Sequence, residues 1–75
     1  MEALEAAEAV LREAGGGPLH WTALQDRALR AGLLDPFAEP AVRRTFLAAL
    51  ARGVAEGRLV KMGTGMYALP AEGAR

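Results

Sequence analysis

The sequence predicts a mainly α fold that ends in a small β-hairpin. Three segments with the apolar spacing of amphipathic helices come first, and each is followed by glycine. Two short strand-like runs then flank a Gly-Thr-Gly turn at residues 63–65, where glycines accept the positive φ of a tight hairpin loop. This order is that of a winged helix-turn-helix, with three helices and a wing of two or three strands.

The first helix is predicted from its apolar face. Its members recur at steps of three and four residues with glutamates between them: Leu4, Ala7, Val10, Leu11 and Ala14. The pattern predicts a helix over residues 2–14, ended by the Gly-Gly-Gly-Pro run at residues 15–18.

A capping signature predicts the start of the second helix. Thr22 is followed three residues later by Gln25, the spacing at which each side chain bonds the backbone amide of the other residue. Residues 19–21 before this box are expected to be extended. Leu24 and Ala28 then face the core, and Gly32 ends the helix.

Proline and glycine set the limits of the third helix. Residues 35–40 form a loop, because the residue before a proline avoids the α region, and Pro40 suits the first helical turn. Gly57 ends the helix. One apolar stripe is predicted to face the core: Val42, Phe46, Ala49, Leu50, Gly53 and Val54. Trp21 and Tyr67 are expected to join Phe46 as core aromatics.

Size and composition limit the classes of function. The 75 residues make one domain over 1–75, with a core at about 3–69 and a short tail at 70–75. There is no cysteine or serine, and His20 is the only histidine, so we expect no catalytic pair, no metal site and no cofactor. The acidic amino terminus and the lack of a run of roughly 18 apolar residues predict a cytoplasmic protein without membrane contact.

The net charge is zero, but the charges are divided along the chain. Residues 1–40 carry seven acidic and three basic side chains, a net charge of −4, whereas residues 41–75 carry two acidic and six basic ones, a net charge of +4. Such a dipole can orient a small domain toward a polyanion. The alternative is that the arginines form a solvated helix face.

The ordered set of segments resembles the HARE-type winged helix-turn-helix domain. The resemblance is carried by GPLHW at 17–21, ALRAGL at 28–33, TFLAAL at 45–50 and LVKMGTGMYAL at 59–69, and it covers about residues 3–69. Members of that family occur in restriction endonucleases, chromatin-associated proteins and the amino-terminal domain of the bacterial RNA polymerase delta subunit. The resemblance implies three helices with a wing and a role in DNA transactions or transcription.

A duplex DNA-binding face is therefore predicted on the third helix and the wing, since the second helix of the motif enters the major groove. Because the third helix lacks Asn, Gln and Ser, which read base edges, we expect weak sequence preference. The predicted DNA-binding residues are Arg43, Arg44, Thr45 and Arg52 on the helix, and Arg58, Lys61 and Thr64 in the wing.

The same helix also supports a different interpretation. Its outer side is small and apolar, which would let a partner helix approach closely: Leu47, Ala48, Ala51 and Ala55. The alternative function is a protein-interaction module that docks on RNA polymerase or another DNA-processing machine, with the acidic first helix favouring a basic surface. Formation of a homodimer through this patch is a third interpretation.

Overall fold

The computed structural model describes residues 2–34 and 42–70. The central strand of its antiparallel sheet is the last one, in the order β1-β3-β2. The predicted mainly α fold with a wing is confirmed, and the wing sheet has three strands. The predicted loop at 35–40 lies outside the described residues. The elements are α1 Ala3–Glu13, β1 Leu19–His20, α2 Trp21–Arg30, α3 Val42–Ala55, β2 Val60–Gly63 and β3 Met66–Ala68.

All three helices end at a glycine with a positive φ. After α2, the Leu33 amide donates to the Ala28 carbonyl oxygen at 2.9 Å, the long bond of a Schellman motif. Gly32, between them, has φ +74°, a conformation that side chains with a Cβ rarely adopt. Gly15 and Gly57 take the corresponding positions after α1 and α3. The predicted helix ends are therefore confirmed.

The start of α2 differs from the prediction. The N-cap is His20, whose Nδ1 accepts a hydrogen bond from the Thr22 amide at 3.3 Å. The helix begins at Trp21, because the Trp21 amide donates to the Gly65 carbonyl oxygen at 2.9 Å and fixes the chain direction there. Thr22 thus lies inside the helix, and Gln25 is too far along it to close a capping box. The predicted Thr22–Gln25 box is wrong, since a tertiary contact moves the cap two residues earlier.

The core lies between the helices and one face of the sheet. Its largest fully buried side chains are Phe46, Leu4, Leu11, Leu24 and Leu50. The side chain of Val42 lies outside the described ones, and the rest of the predicted α3 stripe is buried or packed against the core. Tyr67 is buried as predicted, but Trp21 is only half-buried at the edge of the core. One face of this indole is therefore available to other groups.

The turn of the wing lies against the start of α2. In the hairpin Lys61 is opposite Tyr67, and the register shifts between Lys61 and Gly63. Gly65 in the turn has φ +73°, and a Cβ there would lie 2.8 Å from His20 Nε2. Glycine is thus needed at position 65 for both conformation and space.

An open groove borders the opposite face of the sheet. Among its lining residues are Pro18, Val60, Met62 and Leu69. Val60 and Met62 are the large apolar side chains that are exposed in the described part of the chain, at 37% and 58%. The most exposed apolar surface of the wing is therefore on β2.

Candidate nucleic-acid interface

The third helix turns its cations and its small side chains away from the core. Arg43, Arg44 and Thr45 near its start are exposed, as is Arg52 near its end. Arg44 and Arg52 are eight residues apart, which corresponds to about 12 Å along a helix axis. Between and beyond them the exposed residues are Ala48, Ala51 and Ala55. The outer face thus has cations at its two ends and alanines in the middle.

The N-terminal end of α3 is joined to the wing through Trp21. Arg43 Cζ lies 5.2 Å from the centroid of the Trp21 ring, within the range of a cation–π contact. The backbone of the same tryptophan is bonded to Gly65 in the wing turn. Thr64, the other residue of that turn, is exposed. The structure therefore brings the start of α3 and the turn of the wing together at one aromatic side chain.

The C-terminal end of α3 is joined instead to the acidic first helix. Arg52 forms an ion pair with Glu2. Just beyond the helix, Arg58 donates two hydrogen bonds to the Glu8 carboxylate, at 3.2 Å from Nε and 2.5 Å from Nη2, and its Nη1 lies 3.7 Å from Glu56. The hydrogen bonds from Glu8 raise the pKa of Arg58, with smaller contributions from the nearby carboxylate charges. Both arginines thus fasten α1 to the end of α3.

These contacts divide the seven predicted DNA-binding residues into two groups. Arg52 and Arg58 have carboxylate partners that compete with a phosphate. The other five have no ion pair among residues 2–34 and 42–70: Arg43, Arg44, Thr45, Lys61 and Thr64. Lys61 is exposed on β2 and shares the sheet face of Tyr67. The positive charge available to a ligand is therefore concentrated at the start of α3 and on the wing.

The first turn of α3 favours an anion for a second reason. It contains Arg43 and Arg44 and no acidic residue. The positive end of the helix macrodipole repels cations at this position, so two arginines there are electrostatically unfavourable in the free protein. An anion bound between them reduces both repulsions.

The apolar patch proposed for a protein partner is smaller than the sequence indicates. Ala48, Ala51 and Ala55 are exposed, but Leu47 is half-buried and packs against the core. The patch offers mainly methyl groups to a partner.

Two classes of site were also sought in the structure. Within residues 2–34 and 42–70, no helix has both the length and the apolar character needed to cross a membrane. No group of three His, Cys, Asp or Glu side chains in those residues could hold a metal ion.

Comparison with protein families gives one match that covers nearly the whole chain. The HARE-HTH family, described as an ASXL and restriction endonuclease HTH domain, matches residues 1–71. The matched range includes the three helices, the wing and both ends of the α3 face. Neither the curated proteins nor the solved structures give a match to the chain.

Proposed function

The chain belongs to the HARE-HTH family, a helix-turn-helix family of DNA-binding type, and from this we propose that it binds duplex DNA through the first turn of α3 and the wing. The observation that carries the proposal is the junction at Trp21, which holds Arg43 beside the wing turn. A helix in the major groove and a wing on the adjacent backbone would then act as one surface.

We further propose that each cation has a different weight in this interaction. Arg43, Arg44 and Lys61 neutralise phosphates directly, while Thr45 and Thr64 offer hydroxyl groups to the same backbone. Arg52 and Arg58 contribute only if they leave Glu2 and Glu8. An ion-paired arginine must exchange one anion for another, so its net gain from a phosphate is small.

Weak sequence preference fits the composition of the exposed helix face. Besides its arginines and Thr45, this face consists of alanines, which neither donate nor accept hydrogen bonds at base edges. Arginine alone can select guanine. Contacts with phosphates, which are the same for every sequence, would then supply most of the affinity.

The proposal predicts a salt-dependent affinity for a duplex of arbitrary sequence. If Arg43, Arg44 and Lys61 each neutralise one phosphate, the slope of log affinity against log salt is about −3, from roughly −0.9 per phosphate. Participation of Arg52 and Arg58 steepens it to about −4.5. The anisotropy of a labelled duplex, titrated between about 50 and about 200 mM salt, measures this slope. Absence of binding at about 10⁻⁴ M protein contradicts a DNA-binding function.

A second prediction concerns the carboxylate that holds Arg58. The change Glu8→Gln removes the charge of the carboxylate and frees Arg58 for the duplex. We expect about two- to fivefold tighter binding at low salt and a salt slope steeper by about 0.9. The same anisotropy titration measures both quantities.

The control for this variant is Glu13→Gln, an exposed position on the same helix that has no ion pair in residues 2–34 and 42–70. It changes the net charge equally without releasing an arginine. Equal effects of the two variants would mean that only net charge matters and that Arg58 takes no part.

The alternative is that α3 binds another protein, such as RNA polymerase or another DNA-processing machine, through Ala48, Ala51 and Ala55. The exposure of these alanines in one row supports it, because small side chains let a partner helix come close. Binding to polymerase that is insensitive to salt, together with no binding to duplex, would favour this function. Sedimentation equilibrium of the protein alone tests the homodimer.

A further inference from the structure

Trp21 is the one side chain at which three separate parts of the described structure meet. Its ring lies under the Arg43 guanidinium at the start of α3 and 5.9 Å from the His20 ring. Its amide is bonded to Gly65 in the wing turn, and a Cβ at position 65 would lie 3.3 Å from Trp21 Cδ1. A core aromatic would not need this arrangement at the surface.

The contact with Trp21 leaves the hydrogen-bonding edge of Arg43 available. A guanidinium placed over an aromatic ring uses its flat face for the contact, while its five N–H groups point outward in the plane. A phosphate accepts two of these N–H groups at once. Because the side chain is already held, less rotamer entropy is lost when the phosphate binds.

His20 presents a donor beside the same ring. Its Nδ1 accepts a hydrogen bond from the Thr22 amide at 3.3 Å and lies 2.8 Å from Thr22 Oγ1. A neutral imidazole that accepts at Nδ1 carries its proton on Nε2. Nε2 lies on the side of Gly65, and the His20 side chain is exposed. The cap of α2 thus determines which nitrogen can donate to an anion.

We propose that His20, Trp21 and Arg43 form a phosphate-binding site for the duplex backbone, between the third helix and the wing, in which Trp21 is a positioning residue for Arg43. This site rests on the proposed DNA-binding function and adds residues to it. Arg43 and His20 donate to a phosphodiester, and Trp21 holds the guanidinium at the wing turn. The ligand is the sugar–phosphate backbone and not a base.

The first test is a double-mutant cycle. The variants are Trp21→Leu, Arg43→Gln and the pair, with affinity for a random duplex as the readout. We expect each single variant to bind about three- to tenfold more weakly and the double variant to bind no more weakly than Arg43→Gln. Trp21→Phe keeps an aromatic face and should restore most of the affinity. Losses that simply multiply in the double variant would overturn the positioning role.

A second variant keeps the test decisive if Trp21→Leu does not fold. Arg43→Lys preserves the charge but lacks the planar group that lies on the ring, so it should lose about as much affinity as Arg43→Gln. Circular dichroism establishes that each variant is folded. Full affinity in Arg43→Lys would overturn the site, because charge alone would then suffice.

Emission from the only tryptophan of the chain gives an independent readout. A phosphate drawn to Arg43 and His20 changes the surroundings of the indole, so duplex binding should shift or quench its fluorescence with the same midpoint as the anisotropy. Binding without any change in emission overturns this site and leaves the proposed function standing. No binding at all overturns both.

Discussion

Replacing Phe46 with alanine is expected to lower the free energy of unfolding by about 3–5 kcal/mol. Phe46 is fully buried at the inner side of α3, together with leucines from α1 and α2. Removal of its ring takes away the transfer energy of a large apolar side chain and leaves a cavity that three packed helices cannot close completely. Urea denaturation followed by circular dichroism measures the change.

The size of this effect must be compared with the total stability of a small domain. At roughly 0.05–0.15 kcal/mol per residue, a 75-residue chain has about 4–11 kcal/mol in all. The variant should therefore lose a large part of its cooperative transition near physiological temperature. Without cysteine, no disulfide can compensate.

The neighbouring residue supplies a matched control. Leu47 is half-buried on the flank of the same helix, so Leu47→Ala should cost well under half as much as Phe46→Ala. Phe46→Leu, which retains most of the apolar volume, should cost about 1–1.5 kcal/mol. Equal losses in Phe46→Ala and Leu47→Ala would contradict a core centred on Phe46.

The features that sequence predicts correctly are those set by local chemistry. Gly32 and Gly57 mark helix ends because the left-handed residue of a Schellman motif is determined within one turn of chain. The inward stripes of α1 and α3 follow from helical period alone. The hairpin follows from the two glycines of its turn.

The start of α2 and the state of Trp21 depend on contacts that no local pattern contains. The Trp21 amide is bonded to Gly65, 44 positions later, and its ring contacts Arg43. His20 is an uncommon N-cap, so the Thr22–Gln25 pair gave the stronger local signal. A tertiary contact was stronger than a local preference at this position.

The charges show the same limit. Composition separates an acidic half from a basic half, but it does not reveal that the two halves pair. Arg52 reaches Glu2 and Arg58 reaches Glu8, each across 50 positions. The prediction of seven DNA-binding residues remains a proposal, and these ion pairs give its members unequal weights.

The clearest test of those weights compares the two ends of α3. Changing Arg43 and Arg44 together to alanine removes the cations of the first turn, and we expect duplex affinity to fall about 10- to 100-fold, with a salt slope shallower by about 1.8. Changing Arg52 and Arg58 together should lower affinity only a few-fold, since both are engaged by carboxylates of α1. Anisotropy titrations at two salt concentrations measure both differences.

The control removes the same charge from elsewhere. Arg12 and Arg27 are exposed on α1 and α2 and have no ion pair in the described part of the chain, so changing both to alanine reports the effect of net charge alone. Thermal melts establish that each pair of changes leaves the domain folded. If the loss at Arg52 and Arg58 equals the loss at Arg43 and Arg44, the duplex lies along the whole helix and the α1 carboxylates give way to it. If all three pairs lose equally, attraction by the overall field explains the binding, and no part of α3 is a specific contact surface.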